Sequence, residues 1–440
     1  MATTPTAEVI RERCRAAGLV GCGGGGFPTH AKLERLAEVV IANAAECEPL
    51  LIKDTRLCEE AAELVLRGLE LAAAAVGARR RIVAAKPKRR EAWRALRAAL
   101  GEGVELVELA DAYPVGDEVV LIETVTGRRV PRFGLPGDVG VLVLNVETLA
   151  ALARAVDNEL PFTHKQVCVV GAVGRPLTVR APLGYPAQAL LKAAGWDGNA
   201  PVLEGGPLMG GLLDEPAVGR VSKTTAGYTV LPPDSPIPRH LDRDARLNRR
   251  LALSACTQCR YCTDLCPRWL AGQRVRPHRW MRALALNLGL AELAGEMWAC
   301  SGCGVCELYA CPEGLSPRRV ALELREGYPR PDRSVEEPEE RSVLLAGRRP
   351  PTSALLTRLG LADFVRPTVV IDPPPTERLV LALQQGTGYP AEPNVAVNDQ
   401  VTAGQLLAEA TARLAVPLHA PLDGRVSVLD SRQLALEVSR

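Results

Sequence analysis

The spacing of apolar and polar residues changes character several times along the chain. Glu59 to Ala78, EEAAELVLRGLELAAAAVGA, repeats apolar residues at helical intervals; RIVAAK (Arg81 to Lys86) is a short apolar run; EAWRALRAAL is helical again, and VELVEL closes the series. A 3.6-residue period predicts helices, short apolar runs predict buried strands, and their alternation predicts a parallel α/β unit. Near residue 165 the pattern shifts. QVCVVGAV and RPLTVRAPLG read as strands, AQALLKAAG as a short helix and GGPLMGG as a turn, which predicts a small α+β module. Pro232, Pro233, Pro236 and Pro238 punctuate a linker, and HRWMRALALNLGLAELAGEMW is helix-prone. Residues 328–375, rich in proline and charge, read as a connector with one short helix. The last 65 residues return to short strands and turns, predicting a small β sandwich or barrel.

Composition narrows what these units can be. A chain of 440 residues with 47% apolar and 24% charged residues predicts several cores, about three at roughly 150 residues each. The formal net charge of +2 offers no electrostatic case for nucleic acid or a membrane surface. No uncharged apolar run reaches the roughly 18 residues of a membrane span; Leu69 to Ala78 contains Glu70 and runs into Arg79 to Arg81. The amino terminus, MATTPTAEVIRERCRAAG, has acids and arginines where an export signal needs an apolar core, so a reducing, cytoplasmic setting is expected. There, thirteen cysteines are expected as metal ligands rather than disulfides, and eight of them fall between Cys256 and Cys311.

Those eight form two similar groups. CTQCRYCTDLCP holds Cys256, Cys259, Cys262 and Cys266 before Pro267. CSGCGVCELYACP, 44 residues on, holds Cys300, Cys303, Cys306 and Cys311 before Pro312, with one extra residue before the last cysteine. Three thiolates at three-residue steps wrap one face of a cubane, and in two-cluster ferredoxins the delayed fourth reaches the neighbouring cluster. By that pattern two [4Fe-4S] clusters are expected, one held by Cys256, Cys259, Cys262 and Cys311, the other by Cys300, Cys303, Cys306 and Cys266. Structural zinc draws separated cysteine pairs to one tetrahedron, which overlapping CxxC steps suit poorly.

Gly18 to Leu33, GLVGCGGGGFPTHAKL, is the second chemical signal. A flexible linker would mix glycine with serine and polar residues. Here the glycines lead into the helix-like FPTHAKLERLAEVV, so backbone N–H groups can face an anion with Lys32 as countercharge. Alone the run is ambiguous between a phosphate cradle and packing, because the GxGxxG context is missing. Set beside NAAECEP (Asn43 to Pro49), YPVGDE (Tyr113 to Glu118) and LNVETL (Leu144 to Leu149), it resembles the FMN loop of the NADH-binding flavoprotein of respiratory complex I and of the RnfC component of the Rnf complex. Together with CTQCRYCTDLCPR and the order of the units, nearly the whole chain resembles the cobalamin reductases of propanediol-utilisation microcompartments.

The resemblance implies a multidomain α/β and α+β architecture. It comprises a Rossmann-like FMN/NADH domain at 1–160, an SLBB-like β-grasp module at 161–240, a ferredoxin-like helical domain with two [4Fe-4S] clusters at 241–327, a linker at 328–375 and a lipoyl-like barrel-sandwich hybrid at 376–440. The last segment lacks a lipoyl-bearing lysine at its hairpin tip, so its expected role is structural. By resemblance Gly21, Gly23, Gly24 and Gly26, with Lys32 nearby, meet the FMN phosphate, and Asn43 and Glu46 border the isoalloxazine. Glu48 is the acid near nicotinamide, Tyr113, Gly116, Asp117 and Glu118 line the dinucleotide side, and Asn145 and Thr148 complete the flavin pocket.

The implied activity carries electrons from NADH through FMN and the clusters to a corrinoid, serving a B12-dependent enzyme system. The implied setting is the cytoplasm or a bacterial microcompartment with its shell as a partner, without nucleic acid or a membrane span. Two alternatives stand beside it: an Rnf-like electron-input component of a membrane complex, whose barrel segment is expected at the opposite terminus, and a cluster-bearing docking protein of a shell. Cys22, Ala45 and Leu50 replace an arginine, an acid and a glycine of the complex I motif, which leaves the nucleotide preference open. Cys14, Cys22, Cys47, Cys58 and Cys168 are expected as buried inert thiols. His30, His164, His240, His278 and His419 are expected as satisfied or solvated side chains, with His278 placed in sequence where it can tune the first cluster or approach a corrin ligand.

Overall fold

The computed structural model describes residues 5–286, 288–332, 337–339 and 347–439. The first unit is built on β1 (Val39–Ala44), β2 (Arg80–Ala85), β3 (Val104–Glu108) and β4 (Val141–Asn145), parallel and in the order β3-β2-β1-β4. Val39, Val40, Ile41 and Ala42 are fully buried in the central strand, as expected for a parallel sheet covered on both faces. The helix Lys53–Val76 packs on the helix Val146–Asn158. A Cβ at Gly68 would lie 2.0 Å from the Leu149 carbonyl oxygen, so only glycine permits that approach. Gly77, at φ 70°, ends the first of these helices in the left-handed conformation.

One expected helix is largely absent. Of FPTHAKLERLAEVV only Thr29–Lys32 is helical, and Val39 and Val40 belong to β1. The local helix propensity of ERLAE is outweighed by burial of two β-branched side chains in the middle of a sheet.

The second sheet contains β5 (His164–Gly171), β6 (Leu177–Pro182), β7 (Val202–Glu204), β8 (Gly211–Leu212), β9 (Gly227–Val230) and β10 (Val369–Ile371), in the order β10-β6-β5-β9-β7-β8. The stretch read as a connector therefore supplies an edge strand as well as the helix Thr352–Arg358. The Thr178 and Thr368 hydroxyls meet at 2.7 Å, and Arg56 donates to the Thr368 carbonyl at 2.8 Å, fixing that edge. Residues 333–336 and 340–346 of the connector lie outside the described residues.

Short helices carry the cysteine groups around a core that includes Trp280, whose Nε1 donates to the Pro317 carbonyl at 2.9 Å. Among the described residues, the last unit has seven short strands between Arg378 and Val438, in two antiparallel sheets. Its Leu379, Leu381, Leu434 and Leu436 share one core with Val167, Val179, Tyr185 and Leu190 of the second sheet, so these two units are packed together rather than tethered.

Candidate functional site

β1 has β2 on one side and β4 on the other, so successive strands are added first to one side of β1 and then to the other. Ligands of open α/β sheets bind beyond the carboxyl ends of the strands at such a point. A cavity of about 330 Å³ lies there, reached by Asn43 near the end of β1, by Ala45 just after it, and by Leu144 and Asn145 at the end of β4. The second unit adds Met209 and Ala226 to its wall, and the cysteine unit adds Ser301 and Cys303. Of the fourteen residues read from sequence as cofactor-binding, all but Gly24 line this cavity; Gly25 takes a place there instead.

The glycine run is a closed loop. The Gly21 N–H donates to the Phe27 carbonyl at 2.9 Å, and the Gly26 N–H donates to the Gly21 carbonyl at 3.1 Å. Gly24 and Gly26 have φ of 98° and 59°, and a Cβ at Gly26 would meet Thr224 Cγ2 at 2.7 Å. Gly23 and Gly25 donate no backbone hydrogen bond among the described residues, so their N–H groups are available to a ligand. The helix that follows is a single turn, which leaves the loop itself, rather than a helix dipole, as the source of donors. Lys32 Nζ stands at the rim, 3.0 Å from Glu118 Oε1. Cys22, read from sequence as replacing an arginine of the complex I motif, does not line the cavity. It is 1% exposed, its N–H donates to Thr148 Oγ1 at 2.9 Å, and burial pushes its thiol up to about 12.

Charged groups beneath the cavity are paired. Lys53 Nζ lies 2.6 Å from Asp54 and 3.0 Å from Glu147, while Lys165 also pairs with Glu147. Burial alone would raise Glu147, but Lys165 and Lys53 hold it below the ordinary carboxylate range. Asn145 Nδ2 donates to Asp54 Oδ2 at 2.7 Å. Glu46 turns its oxygens to the Asp54 and Thr55 N–H groups, both at 2.9 Å, and so caps the helix that begins there; burial and the nearby Asp54 carboxylate raise it.

Glu48 occupies a different setting. Burial pushes it up to about 7 against the hydrogen bonds that favour its charged form, of which the Leu208 N–H at 3.0 Å is one. Tyr113 Oη lies 3.1 Å from Glu48 Oε1 and 2.8 Å from the Cys303 carbonyl. The single tyrosine proton serves one acceptor at a time, and a protonated Glu48 can donate to Tyr113 Oη while Tyr113 donates to Cys303. Leu50, in place of a glycine, sits at φ 72° and is 7% exposed. Burying a leucine contributes about 1.5–3 kcal/mol, which offsets the roughly 1–2 kcal/mol cost of left-handed backbone.

The two cysteine groups exchange members. Cys256, Cys259, Cys262 and Cys311 wall one chamber, with His278 and Met281; Cys266, Cys300, Cys303 and Cys306 wall another, with Arg268 and Arg318. In the first, Cys259 is exposed; in the second, Cys266, Cys303 and Cys306 are buried. Among the described residues no three His, Cys, Asp or Glu side chains close around a single ion, whereas each quartet surrounds a space. Burial pushes Cys262 and Cys303 up to about 12, so ligation there releases protons. His278 bonds Thr263 Oγ1 at 2.7 Å beside the exposed quartet.

Three residues important to this geometry were assigned no role from the sequence. Arg268 Nε bonds Asp117 Oδ2 at 2.9 Å, linking the wall of the buried chamber to the cavity lining; its place directly after Cys266 and Pro267 was the only clue. Arg318 pairs with Glu307 at 2.7 Å in the same wall. Lys223 is fully buried, donates to the Gly18 and Pro417 carbonyls at 2.7 and 3.0 Å, and is pushed down to about 7 by burial. It ties the base of the glycine loop to the last unit, whose Thr387 N–H donates to the Gly26 carbonyl at 3.1 Å.

Residues 14–154 match the Nuo51 FMN-binding domain, residues 255–316 a 4Fe-4S dicluster domain, and residues 364–438 the RnfC barrel sandwich hybrid domain. Cobalamin reductase PduS of Salmonella typhimurium is 40% identical, covering 98% of this chain and 97% of its own. The protein of the same name from Citrobacter freundii is 40% identical over 98% of this chain and 96% of its own. The C component of the Na(+)-translocating ferredoxin:NAD(+) oxidoreductase complex of Acetobacterium woodii is 34% identical over 59% of this chain and 58% of its own.

Proposed function

Because this chain belongs to the PduS cobalamin reductase family, a flavin and iron–sulfur oxidoreductase family, we propose that it passes electrons from NADH through FMN and two [4Fe-4S] clusters to a corrinoid. The observation that carries this reading is that Cys303 belongs both to the 330 Å³ cavity and to the buried cysteine chamber. A bound flavin takes a hydride and passes electrons on singly, and each cluster carries one at a time.

The residues present suit these groups. Gly23 and Gly25 leave backbone donors uncovered for a phosphate, and Lys32 adds a cation at the rim. An adjoining cavity of about 600 Å³ shares Phe27, Lys32, Glu118 and Val143 with the first and gives room for the remainder of a dinucleotide. Glu48, with its proton poised near neutrality, can hold or release it at Oε1 toward Tyr113 Oη. Each quartet supplies four thiolates of one [4Fe-4S] cluster, with the last cysteine of each group crossing to the other. In the same reading the parallel unit is Rossmann-like, the second sheet is an SLBB-like β-grasp, and the boundaries run 1–160, 161–240, 241–327, 328–375 and 376–440.

We place the activity in the cytoplasm or a microcompartment, with the shell as a partner; among the described residues no helix is long and apolar enough to cross a membrane. The Rnf-type alternative has less support, since that relative aligns with 59% of this chain.

The test is anaerobic addition of NADH to the reconstituted protein, followed by cob(III)alamin or cob(II)alamin. Bleaching of flavin and clusters, then reoxidation by corrinoid, is the expected result. Bleaching without reoxidation contradicts the acceptor, and no bleaching contradicts the donor. Gly26→Ala, which would clash with Thr224 in a backbone conformation that favours glycine, is expected to lower flavin retention about tenfold or more.

A further inference from the structure

The arginines of this chain are unevenly placed. Residues 243–282 carry ten arginines against two acids, Asp244 and Asp264, in a chain of net charge +2, so the rest of the molecule is net acidic. Several are committed internally: Arg260 to Asp264 at 3.8 Å, Arg268 to Asp117, Arg274 to Glu339, and Arg276 and Arg279 to Glu296. The helix Ala245–Ala255 is different. It buries Asn248 and Ala252 on one side and exposes Arg246, Arg250 and Leu253, at i, i+4 and i+7, on the other. Arg246 and Arg250 have no ion-pair partner among the described residues. That face leads directly into the first cysteine group; at about 1.5 Å per residue, Arg250 lies roughly 9 Å along the axis from Cys256. Just beyond it are exposed Cys259, Arg260 and Tyr261. Leu253 and Tyr261 are 67% and 55% exposed, so the segment offers apolar surface as well as charge.

We propose that this ridge is the docking surface for an acidic one-electron partner protein, which meets the exposed cysteine chamber there. The proposal rests on the proposed function only in taking that chamber to hold a cluster. Charge complementarity selects the occupant: Arg246 and Arg250, with Arg260 beside them in a long 3.8 Å pair with Asp264, favour an extended acidic surface, while a small ligand of little net charge gains little from them. Exposed arginine together with aromatic and apolar side chains is a composition enriched at protein interfaces, and transient electron-transfer contacts need less than about 1,200 Å². The local excess of positive charge also steers an acidic partner toward this end of the molecule, an effect that salt screens.

The experiment uses two probes that carry the same haem on opposite surfaces, native cytochrome c (basic) and succinylated cytochrome c (acidic). Reconstituted protein is reduced with dithionite, freed of excess reductant, and mixed with each in stopped flow across a range of salt. The acidic probe is expected to be reduced about tenfold faster at low salt, with the advantage fading as ionic strength rises. The double variant Arg246→Glu/Arg250→Glu is expected to lose that advantage. Arg94→Glu/Arg97→Glu, an equal charge change on exposed positions of the helix Arg90–Ala99, is expected to keep it. Equal rates for the two probes, or an equal loss in both double variants, overturns the proposal. Slowing of free cob(II)alamin as much as of the acidic probe overturns it too, in favour of a corrinoid on the ridge. Absence of iron–sulfur absorbance in the reconstituted protein contradicts the underlying reading instead, which separates the two failures.

Discussion

The chamber walled by Cys266, Cys300, Cys303 and Cys306 touches the flavin-sized cavity through Ser301 and Cys303 and has Arg268 and Arg318 in its wall. The chamber walled by Cys256, Cys259, Cys262 and Cys311 has His278 beside it and an exposed cysteine, Cys259. The two motifs that supply these cysteines are nearly the same in sequence, so what separates the chambers is what packs on each. The first is pressed against the first unit through the Arg268–Asp117 pair and the Tyr113–Cys303 hydrogen bond; the second lies beneath an arginine-bearing helix end. Repeated ligand patterns thus acquire different surroundings, and in the proposed function the chamber beside the cavity would take electrons in while the exposed one would pass them out.

The largest test of this asymmetry removes one ligand from each chamber. Cys306→Ala is expected to slow NADH-driven bleaching of the remaining cluster by at least about 100-fold, near 2.7 kcal/mol in the barrier. Cys259→Ala should leave bleaching of the buried cluster close to wild type, as read by stopped-flow absorbance. Equal defects would remove the distinction between entry and exit.

A smaller effect concerns Arg268. Its guanidinium would favour the reduced, more negative state of a cluster held in that chamber, so Arg268→Gln is expected to lower that cluster's midpoint by about 59 mV for a tenfold shift. Asp117→Asn, which frees the guanidinium from its carboxylate, should shift it the other way, while the exposed cluster stays in place. Redox titration followed by EPR distinguishes the two signals.

The smallest effect is on stability. Burial raises Glu48 from 4.5 to about 7, so the folded state keeps a proton that the unfolded chain has already released in that window. Stability therefore falls as pH rises from about 4.5 through 7, by about 1–2 kcal/mol after allowing for partial solvent screening at this half-buried group. Glu48→Gln should flatten that slope in denaturant titrations at pH 5 and pH 7.5. An unchanged slope would mean that Glu48 is ionised across the window.

Much of this architecture could be read from local pattern. Glu59 to Ala78 has a clean helical period, RIVAAK a strand's apolar run, and the cysteine spacing already implied crossed quartets. The segment FPTHAKLERLAEVV misled because Val39 and Val40 are drawn into the central strand by tertiary pairing that no local window contains. Thr368 to Ile371, read as connector, joins a sheet whose neighbouring strand lies about 190 residues earlier. The glycine loop was legible only in company with three distant motifs. Arg268, Arg318 and Lys223 were not, since their importance comes from burial at junctions between units rather than from spacing.

The crossing of the fourth cysteines, with only one of the resulting clusters facing the flavin cavity, is the claim on which the account depends. Reconstituted Cys266→Ser and Cys311→Ser proteins, studied by EPR after reduction first with NADH and then with dithionite, test it directly. In Cys311→Ser, NADH is expected to reduce an intact cluster held by Cys266, Cys300, Cys303 and Cys306. In Cys266→Ser, the surviving cluster should respond to dithionite but only weakly to NADH. The reverse pattern, with NADH reaching the cluster of Cys266→Ser and not that of Cys311→Ser, would contradict the account.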